Sequence, residues 1–452
     1  MHGGPAAGIG SPTLSRSLTR LDLVVIGVAQ IIGAGIFVIS GVGVKIAGPG
    51  LILSFLLAGG ACTLAALCYA ELASMMPQAG SAYSYAYGIF GELAAWIIGW
   101  DLILEYGMGA ATVAAGWSFY LQDLLRAYGL ALPLWASGPP FTAAGRVINL
   151  PAALVVLGFA TLLVLRTRFN ALIARGLVFV KLAVIAFIIA LGAFYIRPVN
   201  WTPLLPYGPG SIIQAASLVF FAFLGFDVVA ITAEESRNPD RDVPFGIIGS
   251  LTLCSLIYLA AALVLVGMAP YSQVNPDAPF STVFRQVGLS WAADLVGLGA
   301  IIGITSVLYM LLLAQPRVLF AMARDGLLPA GVAALHPRHR TPHRMTLICG
   351  AAVALVAAFT PIDKLAFLCN IGTLFAFFLV CLGMLALRFT HPALPRPFRC
   401  PYGKAVATAG ALVCLALMLS MPGGSWLRLA LWLLLGLAVY FLYAWRSGRL
   451  GA

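Results

Sequence analysis

The sequence predicts an all-α integral membrane protein with twelve transmembrane helices, and two observations carry that prediction. Of its 452 residues, 62% are apolar and only 9% are charged, against about 25% charged in an ordinary soluble domain. The apolar residues fall in long unbroken runs, not in the short alternating segments of a membrane β-barrel. With 26 lysines and arginines and 15 aspartates and glutamates, the chain has too little charge to coat soluble domains or to stay disordered.

A bilayer core about 30 Å thick needs about 20 apolar residues in a helix, and runs of that scale can be marked in order. They lie at 22–46, 50–75, 93–122, 148–165, 173–196, 211–234, 245–269, 294–321, 345–360, 364–388, 403–421 and 426–444, separated by Gly/Pro and charge clusters. Residues 1–20 are Gly-, Pro- and Ser-rich, with no cleavage-like apolar stretch ahead of Leu21, so they read as a tail before an uncleaved first span. An even number of crossings puts both termini on one side. With the termini inside, 17 basic residues fall in inner loops and tails and seven in outer ones, Lys181 and Arg317 lying within spans. The positive-inside rule then makes both termini cytoplasmic and explains the net charge of +11 without nucleic acid. The eight cysteines lie mostly inside apolar runs without CxxC spacing and read as small core residues.

An ionisable side chain at membrane depth is costly and is a functional candidate by default. Asp101, Glu105, Lys181 and Asp227 qualify. Asp101 and Glu105, four residues apart, share one helix face. Asp101, nearer the cytoplasmic end, reads as interfacial. Glu105 lies near the midplane, either as a buried carboxyl bonded to a neighbouring helix or as a proton-handling group. Lys181 sits in VFVKLAVIAF with no local polar partner. It either snorkels to the interface or is buried, where the cost of its charge suits it to bind and release a proton.

Two spans are interrupted where a plain helix would not want it. The first reads GVAQIIGAGIF from Gly27 to Phe37, and the sixth reads FFAFLGFD from Phe220 to Asp227. Glycine in a membrane helix commonly serves close packing. Interruptions at corresponding places in two halves, however, point to a transport site built on inverted repeats. The sixth run comes five after the first, and an odd number per half inverts the second. The expected organisation is therefore a 5+5 inverted repeat, 21–196 and 211–388, with broken first and sixth helices. Two C-terminal helices at 403–444 and tails at 1–20 and 445–452 complete it. A broken helix exposes N–H groups that attract a carboxylate and carbonyls that attract an ammonium. A zwitterionic α-amino acid supplies both.

Five blocks carry a family resemblance: GAGIFVISG; Glu71 followed by PQAGSAYSYAYGIFGELAAWIIGWDLILEYGMG; FFAFLGFDVVAITAEESRNPDRDVPFGI; AQPRVLFAMARDGLLP; and NIGTLFAFFLVCLGMLALR before RPFRCP. In this order the chain resembles the amino acid–polyamine–organocation superfamily, specifically its cationic amino acid transporter branch in the bacterial twelve-span form. The resemblance implies a LeuT-like fold, alternating access and amino acid uptake coupled to protons. It implies that Gly33, Ala34, Gly35 and Ile36 offer backbone donors to the substrate carboxylate, and Ala222 and Phe223 carbonyls to its ammonium. Phe221 corresponds to an aromatic that closes over substrate, though it also reads as one more core aromatic, and Phe226 is grouped with it. Lys181 falls where proton-coupled relatives carry a lysine in place of a sodium ion. Asp227 follows the sixth-span break, and with Glu105 completes the expected coupling set. Ile304, Tyr309 and Met310 of the eighth span are expected to line the side-chain pocket.

The leading expectation is a proton-coupled L-amino acid symporter in the inner (plasma) membrane, driven by the proton gradient without a cofactor. An amino acid/amine exchanger of the same fold is the alternative. The expected partners are the amino acid, protons and the lipid bilayer; a small membrane subunit and the choice between cationic and small neutral substrates stay open. The histidines at 2, 336, 339, 343 and 391 lie in the tail or loops, and HExxH, GxSxG and P-loop patterns do not occur, which argues against an enzyme. Paired interruptions argue against a channel, which needs a continuous lining.

Overall fold

The computed structural model describes residues 18–76, 81–165, 171–231, 236–324, 326–329 and 342–446. Arg166, Arg168, Arg338 and Arg340, which contribute to the expected orientation, and Pro77–Gly80, Glu234 and Glu235 of the resembling blocks lie outside the described residues.

Helix α1 (Arg20–Ile31) starts where Thr19 and Asp22 bond reciprocally, the Thr19 N–H donating to Asp22 Oδ2 at 2.9 Å and the Asp22 N–H to Thr19 Oγ1 at 3.4 Å. This capping box satisfies two of the donors that a helix start leaves open. The helix ends at Ile32, whose backbone is extended. A π-helical turn, Gly35–Ile39, then leads into α2 (Ser40–Ala47), closed by Gly48 at φ +59°. The chain continues through α3 (Leu51–Met75), α4 (Ser81–Phe90), α5 (Glu92–Ala127), α6 (Leu150–Val164) and α7 (Ala171–Gly192). Next come α8 (Gly210–Val219), a 3₁₀ turn over Phe220–Phe223, and α9 (Val228–Ile231). The rest is α10 (Pro239–Met268), α11 (Pro279–Gln286), α12 (Ser290–Arg324), α13 (His343–Phe359), α14 (Ile362–Thr390), α15 (Gly403–Leu419) and α16 (Gly423–Arg446). Among the described residues the only β pairing is two isolated bridges, Leu18 with Ser236 and Ser137 with Asn149.

In their described parts the twelve apolar runs are largely helical, and the first and sixth are interrupted at residues 32–34 and around 220–227. The count of clear spans differs from the expectation. Among the described residues six stretches are long and apolar enough to cross a membrane: Gly35–Met75, Gly176–Tyr195, Pro239–Met268, Ser290–Phe320, Ile362–Thr390 and Gly423–Tyr443. The reasons are local. The breaks cut the first and sixth runs into pieces. α6, α13 and α15 have 15, 17 and 17 residues, about 22–26 Å at 1.5 Å per residue. α5, at 36 residues, carries Asp101 and Glu105.

The packing pairs elements five runs apart. α3 packs along α10, α5 along α12 and α6 along α13, and the π turn of the first run meets the 3₁₀ turn of the sixth. A buried cluster at the end of α3 holds the α14–α15 connection. Glu71 accepts from Arg388, from Arg396 Nε at 3.1 Å and from the Cys400 N–H at 2.8 Å. Helix α16 docks on α5 through indoles that bond backbone carbonyls, Trp100 to Trp432 at 2.9 Å and Trp432 to Trp100 at 3.0 Å. All eight cysteines are buried and unpaired.

Candidate functional site

The two interruptions touch. A Cβ on Gly35 would lie 2.7 Å from Ala222 Cβ and 2.9 Å from Ala222 N, distances no side chain tolerates. Gly225, at φ +113°, lies against the backbone of Gln30, where a Cβ would stand 3.1 Å from the carbonyl carbon. Glycine is needed at both places, for close approach at Gly35 and for backbone conformation as well at Gly225.

Breaking a helix frees carbonyls, and in a water-poor interior each needs a donor. At the end of α1 the donors are side chains from distant helices. The Lys181 ammonium of α7 donates to the carbonyls of Ala29 and of Ile32, the latter at 2.9 Å, and reaches Ser306 Oγ of α12 at 3.5 Å. Lys181 is 1% exposed, and its stem crosses α12 where Gly303 leaves room. The Tyr258 hydroxyl donates to the Ile31 carbonyl at 2.7 Å. At the end of α8 a neutral amide does the same work: Asn370 Nδ2 of α14 donates to the Ser217 and Leu218 carbonyls, each at 2.8 Å. Beyond the first break Tyr120 donates to the Phe37 carbonyl at 2.7 Å.

Between the breaks lies a cavity of about 60 Å³, lined by Gly33, Ala34 and Gly35 of the first run, Phe221, Leu224, Gly225 and Asp227 of the sixth, Glu105 and Tyr106 of α5, Val307 and Leu311 of α12, and Cys369 of α14. That volume is about two water molecules' share of liquid, below the 300 Å³ or more usual for ligand pockets.

Of the expected substrate residues, the structure brings Gly33, Ala34, Gly35 and Phe221 to the cavity, and of the coupling residues Glu105 and Asp227. Lys181 stands behind the broken α1, not in the cavity. Ile36, Ala222, Phe223 and Phe226 are fully buried in packing and are not among the lining residues. Ala222 is covered by Gly35, while Phe223 packs edge-on against Tyr258, and Phe226 packs edge-on against Tyr69 and tilted against Phe377. On the eighth run Val307 and Leu311 face the cavity in place of Ile304, Tyr309 and Met310. Ile304 is fully buried, Tyr309 packs edge-on against Phe159 of α6, and Met310 is 42% exposed. One residue of helix is about 100° of rotation, so Met310 and Leu311 point different ways. Asp101, expected at an interface, is 0% exposed, because α4 and α14 cover that stretch of α5.

Sequence reasoning missed Tyr258, Asn370, Tyr120 and Cys369. Asn370 carried a signal, a lone amide in the run LAFLCNIGTLFAFF, to which the rule applied to charges also extends. The tyrosines and Cys369 carried none. Away from the cavity, Arg285 of α11 bridges Asp123 of α5 and Asp294 of α12 at 3.1 and 3.2 Å. On the neighbouring α10–α11 connection burial pushes the Asp277 carboxyl up, opposed by Arg146, Arg126 and Lys45.

Comparison with known proteins adds to this geometry. Residues 18–442 match the amino acid permease family. The chain is 46% identical over 440 residues to a methylthioribose transporter of Bacillus subtilis, covering 96% of this chain and 94% of that one. It is 42% identical over 448 residues to a branched-chain amino acid permease of the same organism, covering 98% and 96%. With a vacuolar cationic amino acid transporter of Arabidopsis thaliana it shares 38% over 391 residues, 85% of this chain and 65% of the relative.

Proposed function

The chain belongs to the amino acid permease family, a family of membrane transporters and not of enzymes, and from that premise we propose that it is a proton-coupled L-amino acid symporter working by alternating access. The observation that carries this reading is the Lys181 ammonium held by the Ala29 and Ile32 carbonyls at the end of α1. A cluster of carbonyls at a broken helix end attracts a cation, and here the cation belongs to the chain. When Lys181 gives up its proton it loses its charge and one donor, the grip on α1 weakens, and the first span is released to rock. The proton then does the work that a bound metal cation would do at such an end.

In this reading the chain crosses the plasma membrane twelve times with both termini cytoplasmic. Residues 21–196 and 211–388 form the two inverted repeats, followed by two helices over 403–444, with tails at 1–20 and 445–452. Contacts between elements five runs apart support it, since a pseudo-two-fold axis brings equivalents together. The backbone of Gly33–Gly35 takes the substrate carboxylate, Phe221 covers the substrate, and Glu105 and Asp227 share the proton-linked closure. The cavity must widen to admit an amino acid, which is what alternation between states provides.

A second reading, import of a small molecule other than an amino acid, rests on the relative named for methylthioribose. One experiment tests both. Protein in sodium-free liposomes is given an inward proton gradient with radiolabelled leucine, lysine, alanine or methylthioribose. Gradient-driven accumulation of an amino acid is expected; uptake indifferent to the gradient overturns proton symport in favour of exchange, and accumulation of methylthioribose alone favours the second reading.

A further inference from the structure

One buried acid has no role so far. Asp101 of α5 is 0% exposed, and neither of its carboxyl oxygens has a hydrogen-bond partner among the described residues. Its place is nevertheless built for it. A Cβ on Gly372 of α14 would lie 2.6 Å from Asp101 Oδ1 and 3.2 Å from its Cγ, so the carboxyl occupies the room that glycine yields. One turn further along α5 is Glu105, whose carbonyl accepts from the Cys369 thiol at 3.4 Å, Cys369 lying one turn before Gly372. The pairs Asp101–Gly372 and Glu105–Cys369 are consecutive rungs between two helices, and the second rung borders the cavity beside Asp227.

Among the described residues no opposite charge acts on Asp101. On α5 itself the titratable neighbour is Glu105 and on α14 it is Cys369. α12 brings the neutral Gln315, bonded to the Ile103 carbonyl at 3.0 Å, and Met322 against Gly99. α4 brings Tyr83 to the same glycine, and α16 brings Trp432 against Trp100. An ionised carboxylate without partner or water costs several kcal/mol, whereas a neutral acid leaves only ordinary polar atoms unmet. The acid therefore rests neutral in this conformation.

We propose that Asp101 is a second proton-binding carboxyl in series with Glu105, the two forming a lane that carries the coupling proton from the cavity toward the N-terminal end of α5. Asp101 first releases its own proton toward the N-terminal end of α5, and the carboxylate so formed takes one proton from the Glu105 carboxyl, leaving Glu105 as the anion until the cavity reprotonates it. Four residues apart on one face of α5, their backbones are offset by about 6 Å along the axis, and water entering when the rungs loosen bridges the two carboxyls. α14 ties the lane to the transport cycle, because the helix whose Gly372 and Cys369 form the rungs also grips the end of α8 through Asn370. The proposal rests on the proton-coupled reading of the site, and its test separates the two.

Wild-type, Asp101→Asn and Asp101→Leu proteins, checked for folding by gel filtration, are compared by infrared difference spectroscopy across pH and by transport in liposomes. The expected result is a protonated-carboxyl carbonyl band present in the wild type and missing from both variants. Gradient-driven accumulation falls at least about tenfold, while counterflow exchange at equal pH falls much less. A wild-type band unchanged by either substitution overturns the proposal, and so does accumulation equal to wild type in the Leu variant, since a merely packed acid is replaced by leucine without loss. If wild-type uptake ignores the gradient, the coupling reading fails, and the infrared band alone then decides whether Asp101 holds a proton.

Discussion

The two broken spans solve one problem with different chemistry. Both expose carbonyls in a dry interior, and both borrow donors from far along the chain. The first borrows an ammonium, Lys181, supported by the Tyr258 hydroxyl; the second borrows the neutral amide of Asn370. The first grip can be loosened by moving a proton. The second cannot, and its turn is also packed into a ring of aromatics, with Phe220 and Phe226 against Phe377 and Phe223 against Tyr258. Under the proposed proton coupling the contrast gives the first span the responsive role and the sixth the anchoring role, with Asp227 lining the cavity beside the anchor.

Three substitutions test that division. The largest effect is expected from Lys181→Ala, which removes the charged donor. Gradient-driven uptake in liposomes falls at least about a hundredfold while the folded protein is still recovered, and normal coupling in this variant would end the contrast. Next is Asn370→Ala, which leaves two buried carbonyls without their donor at a cost of about 2 kcal/mol. It is expected to lower the thermal midpoint while leaving the pH dependence of the remaining uptake as in the wild type; a shifted pH profile would mean that the second grip responds to protons too. Smallest is Tyr258→Phe, worth about 1 kcal/mol in thermal unfolding. If it matched Lys181→Ala in transport, the hydroxyl and not the ammonium would be holding α1.

Much of this site was legible in the sequence, for reasons that are local. Gly33, Gly35 and Gly225 announce interruptions because a helix in lipid tolerates missing backbone bonds only beside protein or a cavity. Lys181, Glu105 and Asp227 stand out because charge is scarce around them. What meets those features was not legible. Ile31 and Tyr258 are 227 positions apart, Leu218 and Asn370 are 152 apart, and nothing near either residue names the other. The eighth run shows the limit from another side. Its apolar character says that α12 is a buried helix, but apolar residues surround it, so the pattern does not say which face meets the cavity; Leu311 does and Met310 does not. The position of Asp101 near the end of its run is legible in the sequence, whereas its covering by α4 and α14 is supplied only by packing.

By itself, the sequence determined the solvent in which this chain folds, the twelve apolar runs and the two places where helices must break. These follow from composition and from the conformational freedom of a few adjacent residues, which act over one or two helical turns. Only the tertiary structure decided which donors close each break, which face of α12 borders the cavity and that Asp101 lies sealed against Gly372. Those outcomes depend on the rotation of each helix about its own axis, and that rotation is set by side chains interlocking with helices far away in the chain.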